Sequence, residues 1–132
     1  MRTTRFMTAA LVVGGSLALH LAQAQKPAIG RTELTHRELG DSVREVIQTR
    51  VDFAPGAAFP KHSHPGVEVA YVLEGSLEYQ VDGKPPVTLK TGDSLFIPAG
   101  TIHSARNVGG SNASELATYV VEKGKPLVET AP

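Results

Sequence analysis

The stretch Gly56–Asn107, GAAFPKHSHPGVEVAYVLEGSLEYQVDGKPPVTLKTGDSLFIPAGTIHSARN, decides the fold. Within it Leu77, Tyr79 and Val81 alternate with Glu78 and Gln80, the two-residue period of a strand with one buried face. Turn signals cut the stretch at short intervals: His64-Pro65-Gly66, Glu74-Gly75, Asp82-Gly83 and Thr91-Gly92-Asp93. Val81-Asp82-Gly83-Lys84 reads as a tight hairpin, because Asp-Gly tolerates the positive φ that such turns need. No segment after Ala24 keeps a 3.6-residue apolar period for three turns. Short strands punctuated by Gly and Pro predict an all-β sandwich or barrel.

The pattern continues on both sides. Ile47, Thr49, Val51 and Phe53 alternate with Gln48, Arg50 and Asp52, and Leu116, Thr118 and Val120 form a further alternating set. Val67–Leu73 differs, because apolar residues occupy both parities and Glu68 is its single charge. Such a strand is expected to be buried on both faces. A small barrel has few elements to cover an outer face, so a partner subunit is the expected cover, with a chain tail the alternative. A homodimer is therefore expected. Gln25–Gly30 and Lys123–Pro132 read as mobile ends.

The 132 residues are 41% hydrophobic and 20% charged, which suits one globular domain. Lys+Arg and Asp+Glu are 13 each, and this zero formal charge argues against nucleic acid as a partner. The absence of cysteine excludes disulfides, thiolate zinc sites, iron–sulfur clusters and cysteine nucleophiles. Residues 1–24 read as a signal peptide: Arg2 and Arg5, then the mostly apolar run Phe6–Leu21, then the small-x-small signal Ala22-Gln23-Ala24. Gly14, Gly15, Ser16 and His20 interrupt the run, which disfavours an uncleaved anchor. The expected cut before Gln25 leaves one domain, 25–132, in a periplasmic or secreted protein with no membrane association.

Two blocks carry the chemistry. The first runs Gly56, five residues, His62-Ser63-His64, three residues, Glu68, six residues, Gly75. The second runs Gly92, five residues, Pro98-Ala99-Gly100, two residues, His103, three residues, Asn107. His62 and His64 are two apart, so a strand projects both from one face. Pro65-Gly66 can bend the chain and bring Glu68 back to that face, with Ala70 and Val72 in its parity. In a closed barrel a distant strand can add His103. Three imidazoles and one carboxylate suit Mn, Fe, Co, Ni, Cu or Zn without choosing among them. A divalent ion would also remove the cost of ionising Glu68 in an apolar strand.

These blocks resemble both signature motifs of the cupin superfamily at every motif position, in the manner of its small single-domain, type-2 conserved barrels. The resemblance implies a jelly-roll β-barrel and one divalent transition metal ion held by His62, His64, Glu68 and His103. It makes Gly56, Gly75, Gly92 and Gly100 turn glycines, Pro98 a rigid turn residue, and Asn107 a structural residue or one behind the ligands. His36 reads as a solvated strand residue. Asn112-Ala113-Ser114 has the glycosylation pattern, a triplet of high chance frequency. Arg44, Arg50 and Arg106 could meet an anionic substrate, but each is by default a surface charge.

Four protein donors on a six-coordinate ion leave two positions open, as in catalytic sites. Tyr79, Phe96, Ile102 and Tyr119 are candidates to line the cavity. The leading expectation is a small-molecule enzyme of dioxygenase type. The alternatives are a metal-dependent sugar or keto-acid isomerase, and a non-catalytic ligand-binding or sensing module; fold resemblance alone does not choose.

Overall fold

The protein is described by a computed structural model over residues 28–40 and 43–132. The expected signal peptide and its cut before Gln25 lie outside these residues. Ten strands occur in order: β1 (Ile29–Glu38), β2 (Arg44–Phe53), β3 (Ala58–Ser63), β4 (Gly66–Glu74), β5 (Ser76–Val81), β6 (Val87–Lys90), β7 (Ser94–Ile97), β8 (His103–Asn107), β9 (Ala113–Glu122) and β10 (Glu129–Thr130). They form two five-stranded antiparallel sheets, β1-β2-β9-β4-β7 and β10-β3-β8-β5-β6, the all-β jelly-roll sandwich that the punctuated strands predict. No described helix is long and apolar enough to cross a membrane. Strands far apart in sequence lie side by side, β9 between β2 and β4 and β8 between β3 and β5. This crossing gathers the two sequence blocks.

Alternation works as read in two strands. Ile47, Thr49, Val51 and Phe53 of β2 and Leu77, Tyr79 and Val81 of β5 are all buried. The β5–β6 turn closes as expected, with the Lys84 N–H donating to the Val81 carbonyl at 3.0 Å and Gly83 at φ 79°. In β9 the structure reverses the expected face. Glu115, Ala117, Tyr119 and Val121 are buried, while Leu116, Thr118 and Val120 are half-buried on the outer side. The register explains why those three are apolar: Leu116 pairs with Tyr71, Thr118 with Val69 and Val120 with Val67 across the outer face.

That outer face is the one for which Val67–Leu73 is expected to need a cover. Glu68, Ala70 and Val72 point inward, but Val69 is 40% and Tyr71 42% exposed, and Phe96 of β7, beside Val69, is 55% exposed. Among the described residues nothing covers the outer face of β4. The C-terminal tail does not lie there, because Glu129 and Thr130 pair with Ser63 and His62 in the opposite sheet. So the end expected to be mobile contributes a strand, and at the other end Ile29 and Gly30 already belong to β1.

The four expected turn glycines stand at positive φ: Gly56 and Gly75 at 75°, Gly92 at 94° and Gly100 at 70°. Gly66 is required for another reason. It faces Val121 across the β4–β9 ladder, and a Cβ there would lie 2.0 Å from the Val120 carbonyl oxygen. Asn107 proves structural. Its buried amide donates to the Phe53 and Ser111 carbonyls at 3.1 and 2.8 Å and accepts from the Gly109 N–H at 2.9 Å.

Candidate metal centre

His62, next to last in β3, stands opposite His103, the first residue of β8, in the β3–β8 ladder. His64 lies just past β3, and Glu68 faces it from β4 in the other sheet. Tyr119 stands beside Glu68 in the β4–β9 ladder, with its ring 4.7 Å from that of His64. All four expected ligands are buried together, and one donor atom from each lies within 4.8 Å of the others.

The backbone fixes how the imidazoles present themselves. His62 Nδ1 donates to the Pro60 carbonyl at 2.7 Å, His64 Nδ1 to the Leu127 carbonyl at 2.6 Å, and His103 Nδ1 to the Thr101 carbonyl at 2.9 Å. A carbonyl only accepts, so each Nδ1 carries hydrogen and each Nε2 is left to face the cluster. His64 and His103 both bring Nε2 to 3.0 Å from the same Glu68 oxygen. The His103 contact is a hydrogen bond, whereas His64 Nε2 is left buried without a hydrogen-bond partner. A divalent cation satisfies this orphaned nitrogen and the remaining lone pairs at once. The residues therefore fit one divalent transition metal ion of the N3O type.

Electrostatics point the same way. Burial pushes His62 down to about 4, so this imidazole is neutral and able to donate its lone pair at neutral pH. Burial opposes charge on Glu68 and His103 too, but their mutual contact wins, holding the Glu68 carboxyl low and the His103 imidazolium high.

A narrow cavity of about 10 Å³, room for about one water, opens on His62, Glu68 and His103 and is lined further by Phe53, Phe59, Tyr79, Tyr119, Glu115 and Arg31. Tyr79 and Tyr119 are where the sequence places them. Phe96 takes the outward parity of β7, in which Ile97 faces inward, and Ile102 is half-buried in the loop before β8, outside the lining. The sequence reading missed Glu115 and Arg31. Glu115 is buried and accepts a hydrogen bond from Tyr79 Oη. Burial, then the charge of Glu68, raises its carboxyl to about 7. Burial likewise raises both tyrosine hydroxyls, which stay neutral donors.

The remaining sequence candidates lie elsewhere. His36 is exposed on β1, 2.8 Å from Glu45. Arg50 pairs with Asp52 at 2.9 Å and Arg106 with Glu78 at 3.1 Å, both away from the cavity, and Arg44 occupies an exposed position on β2. Ser114 of the glycosylation triplet is fully buried.

Comparison with known proteins agrees with this geometry. The cupin domain family model matches residues 49–125. Germin-like protein subfamily 2 member 2 of Arabidopsis thaliana is 33% identical over 111 residues, 74% of this chain and 51% of that protein. Dimethylsulfoniopropionate lyase DddQ of Ruegeria pomeroyi is 39% identical over 70 residues, 52% of this chain and 35% of the lyase. The chain thus spans about half or less of these relatives. The structure of oxalate oxidase in complex with the substrate analogue glycolate superposes with a TM-score of 0.65 at 25% identity, covering 85% of this chain and 61% of the oxidase. Matched by the family model across both sequence blocks, with their four donors gathered between two jelly-roll sheets, the chain belongs to the cupin family.

Proposed function

We propose that the protein is a small-molecule enzyme of dioxygenase type that works through one divalent metal ion held by His62, His64, Glu68 and His103. The convergence of four buried donors beside a cavity carries this reading. When bound, a redox-active ion supplies the electron-transfer centre and leaves coordination positions open to small molecules. The chain's own residues hold and shield that centre. Three backbone carbonyls orient the imidazoles, and Phe53 and Phe59 keep the adjoining space apolar. Similarity to oxalate oxidase supports oxidative chemistry. The test is metal analysis followed by an oxygen-uptake screen. Uptake that requires both the metal and His103 supports the reading. Metal-dependent turnover with no oxygen consumed rejects it.

One observation favours a second reading, proton transfer on a keto acid or sugar with the ion as Lewis acid. Glu115 is buried outside the donor set and holds its proton near neutral pH, the behaviour of a general acid or base. Under this reading Glu115→Gln abolishes exchange of solvent deuterium into the substrate. Under the first, no such exchange occurs in the wild type.

Two further properties belong to the same proposal. The protein is exported and cut before Gln25, supported by the Arg2/Arg5, apolar and Ala22-Gln23-Ala24 sequence pattern. Intact-mass measurement of the exported protein showing Met1 retained rejects this. The uncharged rows Tyr71–Leu116, Val69–Thr118–Phe96 and Val67–Val120 also make the outer face of β4 the interface with a second copy. A self-complementary apolar patch needs no charged partner. Sedimentation should find the wild type dimeric at micromolar concentration and Val69→Asp monomeric. A monomeric wild type rejects the interface.

A further inference from the structure

Resting on the metal-site reading, we infer that Arg31 reads the charge of the ligand. At the mouth of the cavity beside the four donors, a small organic carboxylate docks its anionic group on the exposed Arg31 guanidinium. Arg31 lines the cavity from β1, with its Cζ 5.6 Å from the centre of the Phe59 ring. The ring attracts the cation and keeps it at the wall. The guanidinium offers five N–H donors. Its polar contact among the described residues is one long hydrogen bond, from Nη2 to Tyr119 Oη at 3.5 Å, and no carboxylate pairs with it. Arg50 and Arg106 differ, since each is neutralised by a carboxylate outside the cavity.

The groups facing Arg31 leave its charge to a ligand. Tyr79 and Tyr119 are neutral hydroxyls, and Glu68 belongs to the metal donor set. Glu115 feels the Arg31 charge without a hydrogen bond or ion pair to it; it accepts from Tyr79, and burial raises it to about 7. A planar fork with unused donors matches a carboxylate in bidentate fashion, and a charge-assisted pair of this kind is stronger than a neutral hydrogen bond. Arg31 sits on an edge strand with an exposed side chain, so its replacement leaves the fold intact.

The test measures binding rather than turnover. Protein loaded with redox-inert Zn²⁺ is titrated calorimetrically with glycolate and with glycolamide, its uncharged counterpart, and metal content is measured alongside. The wild type should prefer glycolate by about tenfold or more. Arg31→Gln should reduce glycolate binding to the level of glycolamide with unchanged zinc content, while Arg106→Gln behaves as the wild type. Retention of the preference in Arg31→Gln overturns the assignment, as does a wild type that binds the two probes equally or binds neither. Metal-free protein separates this proposal from the one beneath it. Failure to hold zinc with an Arg31-dependent preference intact rejects the metal site and keeps Arg31. Full zinc content with no Arg31 dependence does the reverse.

Discussion

Alanine at any one of His62, His64, Glu68 or His103 should lower metal affinity by more than the ~10–100-fold typical of losing a partner behind a ligand. Each replacement removes a direct donor and opens the cluster to water. His36→Ala should leave the affinity unchanged, because that imidazole is exposed on β1 beside Glu45. The wild type should carry one ion per chain, and equal metal content in all six proteins would sink the site. Proton release offers a second check. In the metal-free protein burial lowers His103, but its hydrogen bond to Glu68 outweighs this and raises it, so protons compete with the ion for its Nε2. His62, already pushed down to about 4, is deprotonated at neutral pH. Metal binding should therefore release protons and weaken as pH falls. Calorimetry in buffers of different ionisation enthalpy reads that release, and an affinity independent of pH would reject it.

Gly66→Ala is expected to have the largest structural effect. The added Cβ would lie 2.0 Å from the Val120 oxygen and 2.6 Å from Val121 Cα, both backbone atoms that cannot swing aside. The β4–β9 ladder must open at this point. Overpacking by a methyl group typically costs ~1–3 kcal/mol, and a clash with backbone belongs at or above the upper end. The damage also reaches the site, because His64 precedes Gly66 by two residues and Glu68 follows it by two. Urea unfolding should show a lower midpoint, and the soluble fraction should hold less metal than the wild type. An unchanged midpoint with full metal content would show that the strands separate there without consequence.

The four donors were legible because their spacing survives folding unchanged: His62 and His64 share a face, and Glu68 keeps the inward parity of Ala70 and Val72. Glu115 was hidden by its own strand. The apolar set Leu116, Thr118 and Val120 suggested the buried face, yet it covers the outer sheet beside Val67, Val69 and Tyr71. The true inner set contains a carboxylate and the small Ala117, so it looks less hydrophobic than the outside. Taking Ala113, Ala117, Tyr119 and Val121 as the inner parity would have exposed Glu115 as their companion. Arg31 had no such signal. β1 is an edge strand that is polar on both faces, and nothing in IGRTELTHRE separates the arginine that lines a cavity from the one that does not.

The Leu127 carbonyl that orients His64 lies just past the exposed run that follows β9, and β10 behind it pairs with the strand carrying His62. All four donors precede this run, so none of them is lost with it. A protease that cuts between Glu122 and Leu127 would leave every ligand on the larger fragment and detach the acceptor that turns the His64 Nε2 inward. The fragment would then hold a full set of donors with one imidazole out of line.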